Sequence, residues 1–134
     1  MNVRTTALRR ALGRDSGQVS IEFLGMTPTI IITLVLLWQF VLVGYTYTLA
    51  GNAADEAVRA GTAATGDRQA ACEREGTSDL PEAWRGDAEV SCGSGAPGYV
   101  TADVSLKVPV LFPGSIGFPF PGITGHAGAV EEAK

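Results

Sequence analysis

The sequence predicts an α+β fold: a long N-terminal transmembrane helix that continues into an exported region and packs on a small antiparallel β-sheet of two or three strands. Three observations predict it. Residues 23–54 carry no charged side chain, small residues then recur at spacings of three and four, and from Tyr99 onward apolar and polar residues alternate. With 134 residues and a formal charge of −4, the chain has room for one small domain besides that helix. Four segments result: a basic cytoplasmic leader over 1–17, the transmembrane helix over 18–50, an Ala-rich helical extension over 51–75, and a small exported β-containing domain over 76–134.

The helical pattern starts directly after Gly17 with QVSIEFLGM. A helix over 24–49 is about 39 Å long at ~1.5 Å per residue, more than the ~30 Å of hydrocarbon it has to cross, so it can span with tilt. A secretory signal peptide would have a shorter apolar region and a small-x-small cleavage site close behind it. Arg4, Arg9, Arg10 and Arg14 precede the run while Asp55 and Glu56 follow it, which keeps the N-terminus cytoplasmic and everything after Leu49 outside. The Arg9-Arg10 pair is not read as a twin-arginine signal, because the apolar run behind it is too long and too hydrophobic. Pro28 removes one backbone donor and is expected to kink the helix. Tyr45 and Tyr47 fall near the far end of the span, where amphipathic rings suit the membrane interface.

Past the span, Ala50, Ala53, Ala54, Ala57, Gly61 and Ala64 line one helix face, with Asp55, Glu56 and Arg59 pointing elsewhere. Such a face either lies against the chain's own sheet, the simpler reading, or meets another subunit, and it can do both. Residues 74–87 read as a loop with room for one helical turn, residues 88–92 as a short strand, and residues 93–98 (GSGAPG) as a turn. Val100, Ala102, Val104, Leu106, Val108 and Val110 then mark one face of a half-buried strand, with Thr101, Asp103, Ser105 and Lys107 on the other. The two strands form an antiparallel hairpin whose apolar face needs the helix as a partner. Pro109 puts the second strand at an edge or near its end. Residues 112–122 (FPGSIGFPFPG) are too rich in Pro and Gly for regular structure. They carry Ile116, Phe118 and Phe120, which either fold back onto the hairpin or contact another subunit or the lipid. Residues 122–130 form a weaker third strand.

No catalytic constellation emerges: the chain has no Gly-rich phosphate loop and no zincin helix, and the acidic residues after position 72 are spread through loops rather than spaced as calcium ligands. His126, the only histidine, sits among Gly and Ala and reads as an ordinary surface or half-buried side chain. No enzymatic activity, cofactor or metal is expected, and basic residues outside the leader are too few for a nucleic-acid partner. Cys72 and Cys92 fall on the exported side, where they are candidates for a disulfide, two free or buried thiols being the alternative. Two cysteines without a neighbouring histidine do not make a structural zinc site.

The series Gly17, Gln18, Val19, Ser20, Ile21, Glu22, Phe23 is followed by Pro28 and by NAADEAVRAG at 52–61, which contains Arg59. Over residues 14–61 this resembles the TadE-like pseudopilins, minor pilins of the tight-adherence (Flp) branch of type IV pili. The resemblance implies leader cleavage between Gly17 and Gln18 by a prepilin peptidase and a part in subunit assembly for Glu22, Phe23 and Pro28. It also implies contact with membrane lipid, other pilin-like subunits and the assembly platform of a bacterial cell membrane. Such a protein would help assemble or initiate a tight-adherence pilus or related secretion filament, and could enter the surface pilus. The residues themselves agree, since cleavage would free an amine at Gln18 one helical turn from Glu22, where a carboxylate entering the membrane needs a counter-charge. Alternatively Glu22 merely sits among the headgroups. Cleavage would leave 117 residues with six basic and thirteen acidic side chains, an acidic exterior. The competing reading is an uncleaved signal-anchored envelope protein whose exported domain binds a ligand or regulates a partner.

Overall fold

The computed structural model describes residues 3–110 and 122–131, with side chains from Gly17 onward except that of Gln18. Helix α1 runs Val3–Ala63. It therefore begins inside the basic segment rather than directly after Gly17. The physical reason is local: residues 3–17 contain no proline, and Ala, Leu and Arg are among the best helix formers. Pro28 lies within α1, where its missing N–H deprives the Leu24 carbonyl of its usual donor. One residue earlier, the Thr27 hydroxyl donates to the Phe23 carbonyl at 2.9 Å.

The chain forms two compact units, Met1–Trp38 and Gln39–Lys134. The first is helical throughout its described residues. In the second, α1 turns one face toward a three-stranded sheet. Leu42, Thr46, Leu49, Ala50, Ala53, Ala54, Ala57 and Val58 recur on that face at helical spacing, and Ala50, Ala54 and Ala57 retain no exposed surface. They pack with Val100, Ala102, Val104 and Leu106 of the sheet, all fully buried. The small-residue face is thus occupied by the chain's own sheet, while Asp55, Glu56 and Arg59 are exposed.

The helical segment read over 51–75 is divided. The helix stops at Ala63, and a second helix, α2 (Arg68–Ser78), restarts behind Asp67, whose carboxylate accepts the Ala70 N–H at 3.2 Å as an N-cap. Helix α2 continues through part of the stretch read as a loop. After Pro81 a single turn, α3 (Glu82–Arg85), supplies the helical turn foreseen there.

The sheet comprises β1 (Glu89–Ala96), β2 (Tyr99–Leu106) and β3 (Ile123–Val130) in the order β1-β2-β3, with both pairings antiparallel. Strand β1 runs further than the 88–92 reading, and the six-residue turn shrinks to Pro97-Gly98. Gly95 is accommodated in a register shift between Ser94 and Ala96, a bulge that a Gly-rich strand end permits. Gly98 takes φ 77°, the left-handed value required after proline in a type II turn. Strand β2 is central, so of the two positions allowed by Pro109 the structure takes the strand end. Pairing stops at Leu106, Val108 still reaches the core, and Val110 is exposed. Ile116, Phe118 and Phe120 lie outside the described residues.

A disulfide joins Cys72 of α2 to Cys92 of β1 across a sequence separation of 20 residues. In the chain-entropy view a loop of that size contributes about 3 kcal/mol by restricting the unfolded chain. The Cys72→Ser, Cys92→Ser double variant is therefore expected to lose about 3 kcal/mol of domain stability. Urea titration of the detergent-solubilised full chain followed by tryptophan fluorescence measures it, and an unchanged midpoint would refute the estimate.

Candidate membrane and assembly segment

From Val19, α1 is long and apolar enough to cross a membrane, and none of its most apolar window is buried within the protein. Val19, Ile21, Phe23, Leu24, Leu34 and Phe40 each expose 60% or more of their surface. Aliphatic and aromatic side chains at that exposure, continuous over many turns, call for a non-aqueous surrounding. The N-terminal apolar helix is accordingly suited to anchor the chain in a membrane.

Glu22 and Phe23 stand exposed at the start of this surface, and no ion pair reaches Glu22 among the described residues. Positions 18 and 22 are one turn apart on the same side of α1. Gly17 is exposed, and a Cβ built on it would meet nothing within 4 Å. A glycine inside a helix costs ~1 kcal/mol relative to alanine, so the fold offers no reason for a glycine at 17. Pro28 and the Thr27 bond to Phe23 mark a turn of weakened backbone bonding six residues beyond Glu22.

The far end of the apolar run is held by contacts that sequence patterning does not reveal. Thr46 is fully buried; its hydroxyl donates to the Leu42 carbonyl at 2.7 Å and accepts from Trp84 Nε1 at 2.9 Å. The Trp84 ring also meets Tyr45 edge-on, with centroids 5.4 Å apart. A threonine in an apolar run was the available signal, but its partner lies 38 residues away. On the outer edge of β1, the Gln69 side chain receives the Cys92 N–H at 2.9 Å and donates to the Val90 carbonyl at 2.9 Å. At the other end of the sheet Arg68 reaches Glu131 through a bidentate pair at 3.1 and 3.2 Å, Ser94 at 3.0 Å and the Gly61 carbonyl at 3.3 Å.

His126 is exposed on β3 and pairs with Asp103, its register partner on β2. That is a cross-strand surface pair. Among the described residues no group of three or more His, Cys, Asp or Glu side chains is placed to hold a metal ion.

An apolar N-terminal helix thus supplies, in its later turns, the spine of a small α+β domain. The family model described as TadE-like protein matches residues 17–59. The match begins at Gly17, takes in Glu22, Phe23 and Pro28, ends at Arg59, and leaves the sheet outside it. No curated protein and no solved structure matches the chain.

Proposed function

We propose that this protein is a membrane-inserted minor pseudopilin with a structural, non-catalytic role, which helps assemble or initiate a tight-adherence pilus or related secretion filament after cleavage between Gly17 and Gln18. The observation that carries the proposal is where the family match starts: at Gly17, with the basic segment before it left out. A glycine that the fold does not need, at the first matched position, suits the requirement of a prepilin peptidase for a residue without a side chain. The apolar surface of α1 then serves the single membrane span, N-terminus cytoplasmic and sheet domain outside, and later serves contact with other pilin-like subunits on the assembly platform. Sequencing the N-terminus of the membrane-extracted protein tests the proposal. Gln18 as first residue is the expected result, whereas Met1 retained on all of the protein supports the signal-anchored alternative.

In this reading the freed Gln18 amine, of the same or an adjacent subunit, neutralises Glu22 as the helix enters the membrane. Glu22→Ala is expected to leave membrane insertion intact or improved and to reduce recovery of pilin-like partners several-fold. Co-purification after cross-linking measures it, and undiminished recovery would remove Glu22 from the assembly contact.

A further inference from the structure

The uncharged run is longer than a bilayer needs, and the structure shows where the surplus goes. No residue from Val19 to Val41 is buried, whereas Leu42, Thr46, Leu49 and Ala50 already pack into the domain core or are buried with it. The uncharged part of α1 that holds no buried residue is therefore 23–41, about 28 Å at ~1.5 Å per residue, close to the ~30 Å thickness of the hydrocarbon layer. We propose that the far hydrocarbon boundary falls between Trp38 and Val41, and that Tyr45 and α3, the base of the domain, rest in the phospholipid headgroup layer of the same bilayer. This rests on the reading of α1 as a membrane span.

The contacts at that end fit headgroups as the occupant. Trp84 is tied by hydrogen bond and ring contact to Thr46 and Tyr45, which hold α3 within about 8 Å of Val41 along the helix, roughly the depth of one headgroup layer. Trp38, Tyr45 and Tyr47 are 54%, 47% and 69% exposed, and rings with one polar atom partition to this depth. Arg85 and Lys107 lie at the same end beside Glu82 and Asp87, with Lys107 Nζ 3.6 Å from Asp87. A base of mixed sign matches zwitterionic headgroups and requires no anionic lipid.

The test uses the full-length protein, its native disulfide intact, in phosphatidylcholine vesicles with and without phosphatidylglycerol. A nitroxide is attached at one substituted cysteine at a time: Ile31, Val41, Asn52 or Ala83. Collisions with oxygen and with a water-soluble nickel chelate give the depth of each. The expected result is Ile31 in hydrocarbon, Val41 at its boundary, and nickel collisions at Ala83 several-fold below those at exposed Asn52, in both lipid mixtures. Ala83 as accessible as Asn52, with Ile31 still in hydrocarbon, overturns the headgroup contact and leaves the span standing. Ile31 in water overturns the span itself. Protection of Ala83 that disappears on diluting protein into lipid assigns the surface to a second copy of the chain and overturns the lipid assignment. A second measurement needs no added cysteine: in a Trp38→Phe chain, lipids brominated near the acyl carbonyl are expected to quench Trp84 more than lipids brominated near the terminal methyl. Equal absence of quenching by both places the base outside the membrane.

Discussion

Replacing Gly125 by alanine is expected to destabilise the sheet domain by about 3 kcal/mol, near the upper end of the usual cost of overpacking. Gly125 is buried on β3 where the strand crosses α1, and an added Cβ would overlap the backbone of Ala50 and Gly51. A flexible side chain could move aside, but helix backbone cannot without separating α1 from the sheet that covers its small face. Ala50 has no exposed surface to begin with, so there is no slack at that crossing. Gly51→Ala is the control: its Cβ would meet nothing within 4 Å, and a helical glycine replaced by alanine gains up to ~1 kcal/mol. Urea midpoints of the two full-length variants in detergent should fall on opposite sides of the parent. A Gly125→Ala midpoint equal to the parent's would show that β3 does not approach α1 so closely.

Gly17→Leu is expected to abolish maturation rather than reduce it. Open space around position 17 means that the leucine disturbs no packing, and leucine is the better helix former, so helix formation and membrane insertion should continue. The change falls entirely on whatever must recognise the peptide bond after residue 17. Precursor carrying residues 1–17 should then accumulate in the membrane, visible as a slower band on a gel and by N-terminal sequencing. A Gln18 N-terminus on the leucine variant would sink the processing hypothesis, while leaving the disulfide and the packing of the domain untouched.

The parts of this molecule that were legible in its sequence are those written with a short period. Ala50, Ala53, Ala54 and Ala57 repeat at three and four, and Val100 to Leu106 repeat at two, so a helix face and a strand face could be read and matched to each other. Strand β3 signalled weakly because Gly125, Ala127 and Ala129, the residues it turns toward the helix, are small where strand-forming residues are usually large. Helix α2 does not separate from α1 by pattern, because the break rests on Gly66 and the Asp67 cap, a few residues within an otherwise continuous Ala-rich pattern. The β1 bulge was hidden for the opposite reason: GSGAPG has turn composition throughout, and only pairing with β2 shows how much of it stays extended. For the candidate assembly segment, Gly17, Glu22, Phe23 and Pro28 are local in sequence and readable as a motif. Trp84 with Thr46, and Gln69 with β1, are separated by tens of residues and obey no period.

The Gln69 contact bears on how open the outer edge of the sheet is to an added strand. An outermost strand ordinarily presents unpaired donors and acceptors that invite a neighbouring chain to add on, and the danger is greatest where identical molecules are concentrated in one plane. Here the outer N–H of Cys92 and carbonyl of Val90 are both taken by one side-chain amide, and the disulfide holds the helix carrying that amide against the strand. Two of the outward hydrogen-bonding groups of this flank are thereby withdrawn from those an added strand would need.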